Sequence, residues 1–319
     1  METTQKPLPR SLGVTGVVKV LYIAGWGRSG TTILDNILGS YENVFSAGEL
    51  YYLWRRGLVQ GRRCGCGEKL AECPLWSKVL HVAYGNEQPC PKRTADLQYR
   101  VTRVRNTRRL TRGDLDAEAA EYRDLVGMQC AAVAEVTGTD LVVDSSKLPP
   151  GAAVLARVAG VEPYLVQMVR DPRAVAYSWT RPKAQLDRPK PMLMDQHGPA
   201  ESTTKWLAWN LLTEQVARGY EARRRRLRYE DFVADPRGTV EELLAWAGVP
   251  SVGGPFVDGR TVELGENHTV SGNPGRFRTG PVALRPDEEW RRAQPLGPRA
   301  LCTALSFPLL HRYGYRVLT

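Results

Sequence analysis

Apolar residues fall into two periods along this chain. The run 17–25, VVKVLYIAG, is almost continuously aliphatic, the pattern of a strand covered on both faces. After a glycine-rich turn, Ile33, Leu34, Ile37 and Leu38 recur at helical spacing, and Gly39 supplies a stop. Two more buried strands are predicted at DLVVD, 140–144, and PYLVQMV, 163–169. A helix follows each: the second strand leads through SSKLPP to Gly151, the third into RDPRAVAYSW, where Pro172 suits a first helical turn. Residues 117–136 read as a long helix, 202–226 as a long amphipathic helix and RLRYEDF, 226–232, as a short strand. DPRGTVEELLAWAGV reads as a helix with an Asp cap, closed at Gly248. Strands alternating with helices predict an α/β fold with a mostly parallel sheet, whose ligands gather at the carboxyl ends of the strands.

Two segments interrupt that alternation. From about 50 to 116 the chain is Arg-rich and Cys-bearing, with Trp54 and Trp76, and reads as an inserted subdomain of short helices. Residues 181–201 are proline-rich, polar and aperiodic, a mobile loop of the kind that covers a site. Residues 1–15 read as a flexible leader, leaving 16–319 as one domain; its tail, from 263, is Gly/Pro-rich and then helical.

Composition adds a charge. Of 319 residues 42% are hydrophobic and 24% charged, ordinary for a well-cored globular protein. The net charge of +10 favours anionic partners. Two arginine-rich stretches, Arg223–Arg226 and Arg100, Arg103, Arg105, Arg108, Arg109 and Arg112, lie in helix-compatible sequence and read as solvated helix faces. No apolar run approaches the ~20 residues that cross a bilayer. The N-terminus has no apolar signal core, so a cytoplasmic protein with reduced thiols is expected.

The chemistry concentrates behind the predicted strands. GWGRSGTT, Gly25–Thr32, nearly matches the phosphate-binding pattern G-x-x-x-x-G-K-[ST], with Thr31 at the lysine position. Glycines let backbone amides approach a phosphate at a helix N-terminus, and Thr31 and Thr32 hydroxyls can donate to it. Without the lysine, a γ-phosphate and its Mg²⁺ are poorly served. Arg28 can supply the charge as a bidentate fork. In VRDPRAVAYS, Arg170 ends a strand and Ser178 lies eight residues on, facing back toward a second phosphate. The plainer alternative is that Arg170 and Asp171 pair and cap the helix.

These two motifs, in this order, resemble those of the PAPS-dependent sulfotransferases, which move the sulfuryl group of 3′-phosphoadenosine 5′-phosphosulfate to a hydroxyl or amine. The likeness runs from about residue 18 to 295, through DSSKLP, RYEDFVADPRGTVEELLAWAGV and GNPGRFRTG, and is nearest the bacterial branch with affinities to tyrosylprotein sulfotransferases. It implies a P-loop-like parallel sheet flanked by helices, a 5′-phosphosulfate site at Arg28, Ser29, Gly30, Thr31 and Thr32, and a 3′-phosphate site at Arg170 and Ser178. Arg276, Arg278 and Gly280 would belong to a loop closing over the 3′-phosphate. PAPS carries no γ-phosphate, so no metal is expected to be required. Glu49 follows Arg28 by 21 residues, about where the tyrosylprotein branch carries its glutamate base. Where many members have a histidine, SSKLP has Lys147, better suited to hold sulfuryl oxygens than to accept a proton. Glu49 is therefore the expected base and Lys147 its electrostatic partner; a helix-cap role for Glu49, a Lys147–Asp144 ion pair, and His197 or His268 as base remain alternatives.

Tyr51, Tyr52, Trp54, Trp76 and the 181–201 loop could line a pocket for an acceptor such as a small-molecule natural product, glycolipid or glycan. Two other classes compete. A P-loop kinase would need Asp144 as its Mg²⁺ acid, and a nucleic-acid binder would exploit the charge without any recognition motif in the chain. Cys64, Cys66 and Cys73, with His81 and Cys90 beyond, could hold zinc, but free or partly oxidised thiols are the favoured reading; Cys130 and Cys302 read as core.

Overall fold

A computed structural model describes residues 16–188, 190 and 192–317, so the leader reading lies outside the described residues. The chain opens with β1 (Val18–Ala24), the glycine loop and α1 (Thr31–Leu38), then returns through β2 (Val44–Gly48). A helical stretch follows: a π-helical turn at Leu53–Val59, α2 (Pro74–Tyr84), α3 (Pro91–Val101), α4 (Thr107–Arg112) and the long α5 (Ala117–Thr137). Next come β3 (Leu141–Lys147), α6 (Pro149–Leu155), β4 (Val161–Val169) and α7 (Pro172–Thr180). A ribbon of β5 (Ala184–Gln185) and β6 (Met192–Leu193) precedes α8 (Pro199–Ala217), β7 (Arg224–Arg228), α9 (Tyr229–Ala234) and α10 (Pro236–Trp246). The hairpin β8 (Thr261–Leu264) and β9 (Gly280–Ala283) leads to α11 (Trp290–Ala293) and α12 (Leu296–Arg312).

β1 lies at the centre of a five-stranded sheet, order β2-β3-β1-β4-β7, and every pairing is parallel. Its side chains alternate between two cores. Val18, Val20, Tyr22 and Ala24 pack on the side of α5, α6 and the inserted helices, while Leu21 and Ile23 pack with α1, α9 and α10. Burial on both faces is why the sequence there is continuously apolar. Helix starts follow local chemistry: the Asp116 carboxylate accepts from Ala119 N, Asp171 from Arg173 N and Asp235 from Gly238 N. Among the described residues no helix is long and apolar enough to cross a membrane.

The elements differ from expectation in three places. β2, in VFSAG, is an edge strand where none is expected. The long helix expected over 202–226 stops at Ala217, and Arg224–Arg228 form the opposite edge strand rather than a helix face. The guanidinium of Arg225 lies over Trp246 and that of Arg226 over Tyr313. The strand expected over 226–232 holds for Arg226–Arg228 and ends there, since Tyr229–Ala234 form helix α9. Cys130 and Cys302 are buried, as expected.

Candidate active site

Each strand of the sheet delivers a functional group to one rim. β1 ends at the Gly25–Gly30 loop, β2 at Glu49, β3 at Lys147, β4 at Arg170 and β7 at Tyr229. Together they line a cavity of about 610 Å³ at the carboxyl edge of the sheet, whose lining also takes in Gly272, Asn273, Gly275, Arg278, residues 282–285 and Asp287, with Lys183 and Met194 of the 181–201 segment.

The loop after β1 is held tightly. A side chain at Gly25 would bring its Cβ to 2.3 Å from the Met168 carbonyl oxygen, and one at Gly30, where φ is +87°, to 2.5 Å from the Tyr229 ring. Arg28 also takes a left-handed backbone, φ 68°, which costs a non-glycine residue about 1–3 kcal/mol. That twist sets its guanidinium over the Trp179 ring at 4.8 Å, with Nε and Nη1 buried and without a partner. Ser29 Oγ is likewise buried and unpaired. Thr31 and Thr32 start α1 and line the cavity beside Gly30. Burial, then repulsion from Arg181, lowers the Arg28 guanidinium to about 10. Burial, then Arg28 and Arg181, lowers the half-buried Lys183 to about 8. Cations are thus crowded at the mouth of the loop, and an anionic ligand would relieve them.

Arg170 and Ser178 line the same cavity, Ser178 from the buried side of α7. Arg170 donates to the Arg28 carbonyl at 3.1 Å and to Asp287 Oδ2 at 3.0 Å, and stacks over Tyr229 at 4.4 Å; its Nε is unpartnered. Trp206 of α8, fully buried, donates its Nε1 to the Arg170 carbonyl at 3.1 Å and fixes the backbone there. Arg170 does not pair with Asp171, whose carboxylate caps α7 and binds Arg173 at 2.7 Å.

Across the cavity, Lys147 Nζ lies 2.5 Å from Glu49 Oε1. Lys147 ends β3 at φ 71°, beside a register shift that admits an extra residue opposite β1. Arg56 flanks Glu49 Oε2 at 3.4 Å and lies over the Tyr52 ring at 3.5 Å. Burial pushes the Glu49 carboxyl up, but Lys147 and then Arg56 outweigh it and hold the group below its ordinary value. Lys147 therefore pairs with Glu49 and not with Asp144, whose Oδ1 accepts from Ser146 N at 2.9 Å.

The remaining expected positions divide. Arg278 and the neighbouring Gly272, Asn273 and Gly275 face the cavity. Arg276 turns away: its guanidinium, 1% exposed, donates to the carbonyls of Thr269 and, at 2.6 Å, Arg63, and fastens loops together. Gly280 opens β9 without lining the cavity. His268 sits among cysteines, with Nδ1 3.4 Å from Cys73 Sγ, and His197 stacks on Trp179 and meets Glu201 at 3.1 Å. Tyr52 lines the cavity, whereas Trp54 and Trp76 are core. Sequence reasoning missed Arg56, Lys183, Tyr229 and Asp287. Tyr229 alone lay in a quoted motif; the others sit in segments with no pattern of their own.

Comparison with known proteins follows the same line. The model of the sulfotransferase family matches residues 21–252. The sulfotransferase domain from the curacin biosynthetic pathway is 16% identical, with a TM-score of 0.50 over 95% of this chain and 99% of that one, a likeness of fold. The sulfotransferase domain of the Synechococcus PCC 7002 olefin synthase is 17% identical, with a TM-score of 0.49 over 98% of this chain and 99% of that one. A Mycobacterium avium sulfotransferase is 13% identical, with a TM-score of 0.46 over 94% of this chain and 78% of its own. No curated protein sequence matches the chain.

Proposed function

The chain belongs to the sulfotransferase family, and from that premise we propose that it transfers the sulfuryl group of PAPS to a hydroxyl of a small-molecule natural product, glycolipid or glycan. One observation carries the donor assignment. The cavity has two cationic anchors, each an arginine with a buried donor that lacks a partner: Arg28 in the glycine loop, next in the chain to the buried and unpartnered Ser29, and Arg170, with Ser178 in the same lining. A molecule with phosphates at both ends of one nucleoside satisfies both at once. The loop amides, Arg28, Thr31 and Thr32 would hold the 5′-phosphosulfate, and Arg170, Ser178 and Arg278 the 3′-phosphate.

PAPS supplies a sulfuryl group on a phosphoanhydride oxygen. The acceptor oxygen forms the new O–S bond as the bond to the 5′-phosphate breaks, so PAP leaves as the loop and Arg28 stabilise its charge. Glu49, kept ionised by Lys147 and Arg56, takes the acceptor proton. Lys147 is within reach to exchange its contact with Glu49 for a sulfuryl oxygen as negative charge develops there. Trp26, Trp179, Trp209, Leu148, Met194 and Tyr52 give the cavity walls that suit an organic alcohol or sugar. The 181–201 segment is the covering loop in this reading.

Kinase chemistry finds less support, because Asp144 is committed to Ser146 and does not line the cavity. The test is calorimetry with PAP and with ATP–Mg²⁺, followed by an acceptor screen with labelled PAPS. PAP is expected to bind and raise the Tm; tighter binding of ATP–Mg²⁺ would overturn the donor assignment.

A further inference from the structure

We propose that Cys64, Cys66, Cys73 and His268 form a structural zinc site that ties the inserted helical segment to the loop above Glu49. Their ligand atoms all lie within 4.8 Å of one another. With Zn–S of about 2.3 Å and Zn–N of about 2.0–2.1 Å, a tetrahedron has edges of about 3.8 Å between sulfurs and about 3.5 Å between sulfur and nitrogen. Cys66 Sγ and Cys73 Sγ are 3.8 Å apart, Cys73 Sγ and His268 Nδ1 3.4 Å, and Cys64 Sγ and His268 Nδ1 3.8 Å. Those are edges of a metal tetrahedron. A disulfide would bring two sulfurs to about 2.05 Å.

The surroundings close on the set, and Cys73 holds its place as the residue that precedes α2. Cys64 and Cys73 are fully buried. Gly67 takes a left-handed turn after Cys66, and a Cβ at Gly65 would approach Asn267 Oδ1 to 2.0 Å, so Cys-Gly-Cys-Gly leaves just the space the histidine loop needs. Trp76 Nε1 donates to the His268 carbonyl at 2.7 Å, and Gly65 N to the Thr269 carbonyl at 3.0 Å. Three thiolates and an imidazole in a closed set of four select zinc in a structural role. His81 and Cys90, the ligands suggested by sequence proximity, are not in the cluster.

The position gives the site a task. Immediately after His268, the Val270 carbonyl accepts from Glu49 N at 2.7 Å, and Ser271 Oγ accepts from Arg56 at 2.8 Å. Gly272, Asn273, Gly275 and Arg278 then line the cavity. Zinc would hold that loop in register with the carboxylate and its guanidinium partner, without touching either.

Metal analysis of the full-length protein, purified without chelator and dialysed against zinc-free buffer, tests this directly. About one zinc per chain is expected, falling to under about a tenth in Cys66→Ser and in His268→Gln. Should those variants fail to fold, wild-type protein reloaded with Co²⁺ decides: intense tetrahedral d–d bands with thiolate charge transfer support the site, and a weak octahedral spectrum overturns it. A wild-type protein that takes up no zinc after reduction and incubation with it, or a Cys66–Cys73 disulfide in the native protein, also overturns it. Metal content is read without donor or acceptor, so it stands or falls separately from the sulfuryl-transfer reading.

Discussion

Lys147 Nζ sits 2.5 Å from Glu49 Oε1, so a cation and a carboxylate of the cavity wall pair with each other in the free protein. Both are mostly buried, and removing Lys147 leaves Glu49 with Arg56 as its flanking cation. Glu49→Gln is expected to lower kcat by about 10²–10⁴-fold, the range for a lost general base, with PAP affinity within about twofold of wild type. Turnover like that of wild type would end the assignment of Glu49. In Lys147→Met the effect of burial on Glu49 loses its main counterweight, so its carboxyl rises and the acidic limb of the kcat–pH profile moves to higher pH. If the limb stays while kcat falls, Lys147 acts on the sulfuryl group alone.

The two anchors make separable predictions. Arg170→Ala should weaken PAP by about 1.5–3 kcal/mol, or roughly 10–150-fold, the value of a charge-assisted hydrogen bond. Adenosine 5′-phosphate, which lacks the 3′ group, should bind Arg170→Ala and wild type alike. Arg28→Ala should weaken both ligands. Calorimetry with the two nucleotides distinguishes these patterns, and an equal loss for both ligands in Arg170→Ala contradicts its placement at the 3′-phosphate.

How far the site could be read in the chain depends on how local each signal is. The glycine loop and the Arg170–Ser178 pair announce themselves because each follows a strand buried on both faces, where apolar continuity is strong. β2 is five residues of VFSAG, too short and small-residued to stand out, yet it carries Glu49 to the rim. β7 hides because its arginines look like a solvated helix face, while at a sheet edge their guanidinium groups lie over Trp246, Tyr313 and Tyr315. Trp54 and Trp76 looked like pocket walls because aromatic composition does not say which side of a helix faces the core. His268 joins cysteines that lie 195 residues and more away, a closure set by the pairing of two loops and by no spacing along the chain.

Asp287 occupies the place of a counter-ion. Its Oδ2 accepts from Arg170 at 3.0 Å and Arg181 at 3.2 Å, and under the proposed function a phosphate would compete with it for both. Its carboxyl is held below the ordinary range because Arg170 and Arg181 outweigh the effect of burial. Asp287→Asn should therefore tighten PAP by about three- to tenfold and destabilise the free protein by about 0.5–1 kcal/mol, a modest loss because the carboxylate is partly exposed. Titration calorimetry and thermal melts read the two effects, and weaker PAP binding in the variant would show that Asp287 orders the arginines instead of competing for them.

Lys183 gives the site a pH dependence with two opposite signs. Its ammonium is lowered to about 8 by burial and then by Arg28 and Arg181, against an ordinary lysine value of about 10.4. Protonated Lys183 attracts a phosphate, and phosphate monoesters, with a second pKa of about 6, stay dianionic above neutrality. PAP affinity should fall as pH rises through about 8. The free protein should move the other way: between about 8 and 10.4 the unfolded chain holds the proton that the folded chain has released, so this group's contribution to stability rises with pH. Lys183→Met should flatten both trends over that interval. PAP titrations and urea melts at pH 7, 8 and 9 provide the check, and an unchanged affinity profile in Lys183→Met would assign the cation that feels the phosphate to Arg28, at about 10, and its neighbours instead.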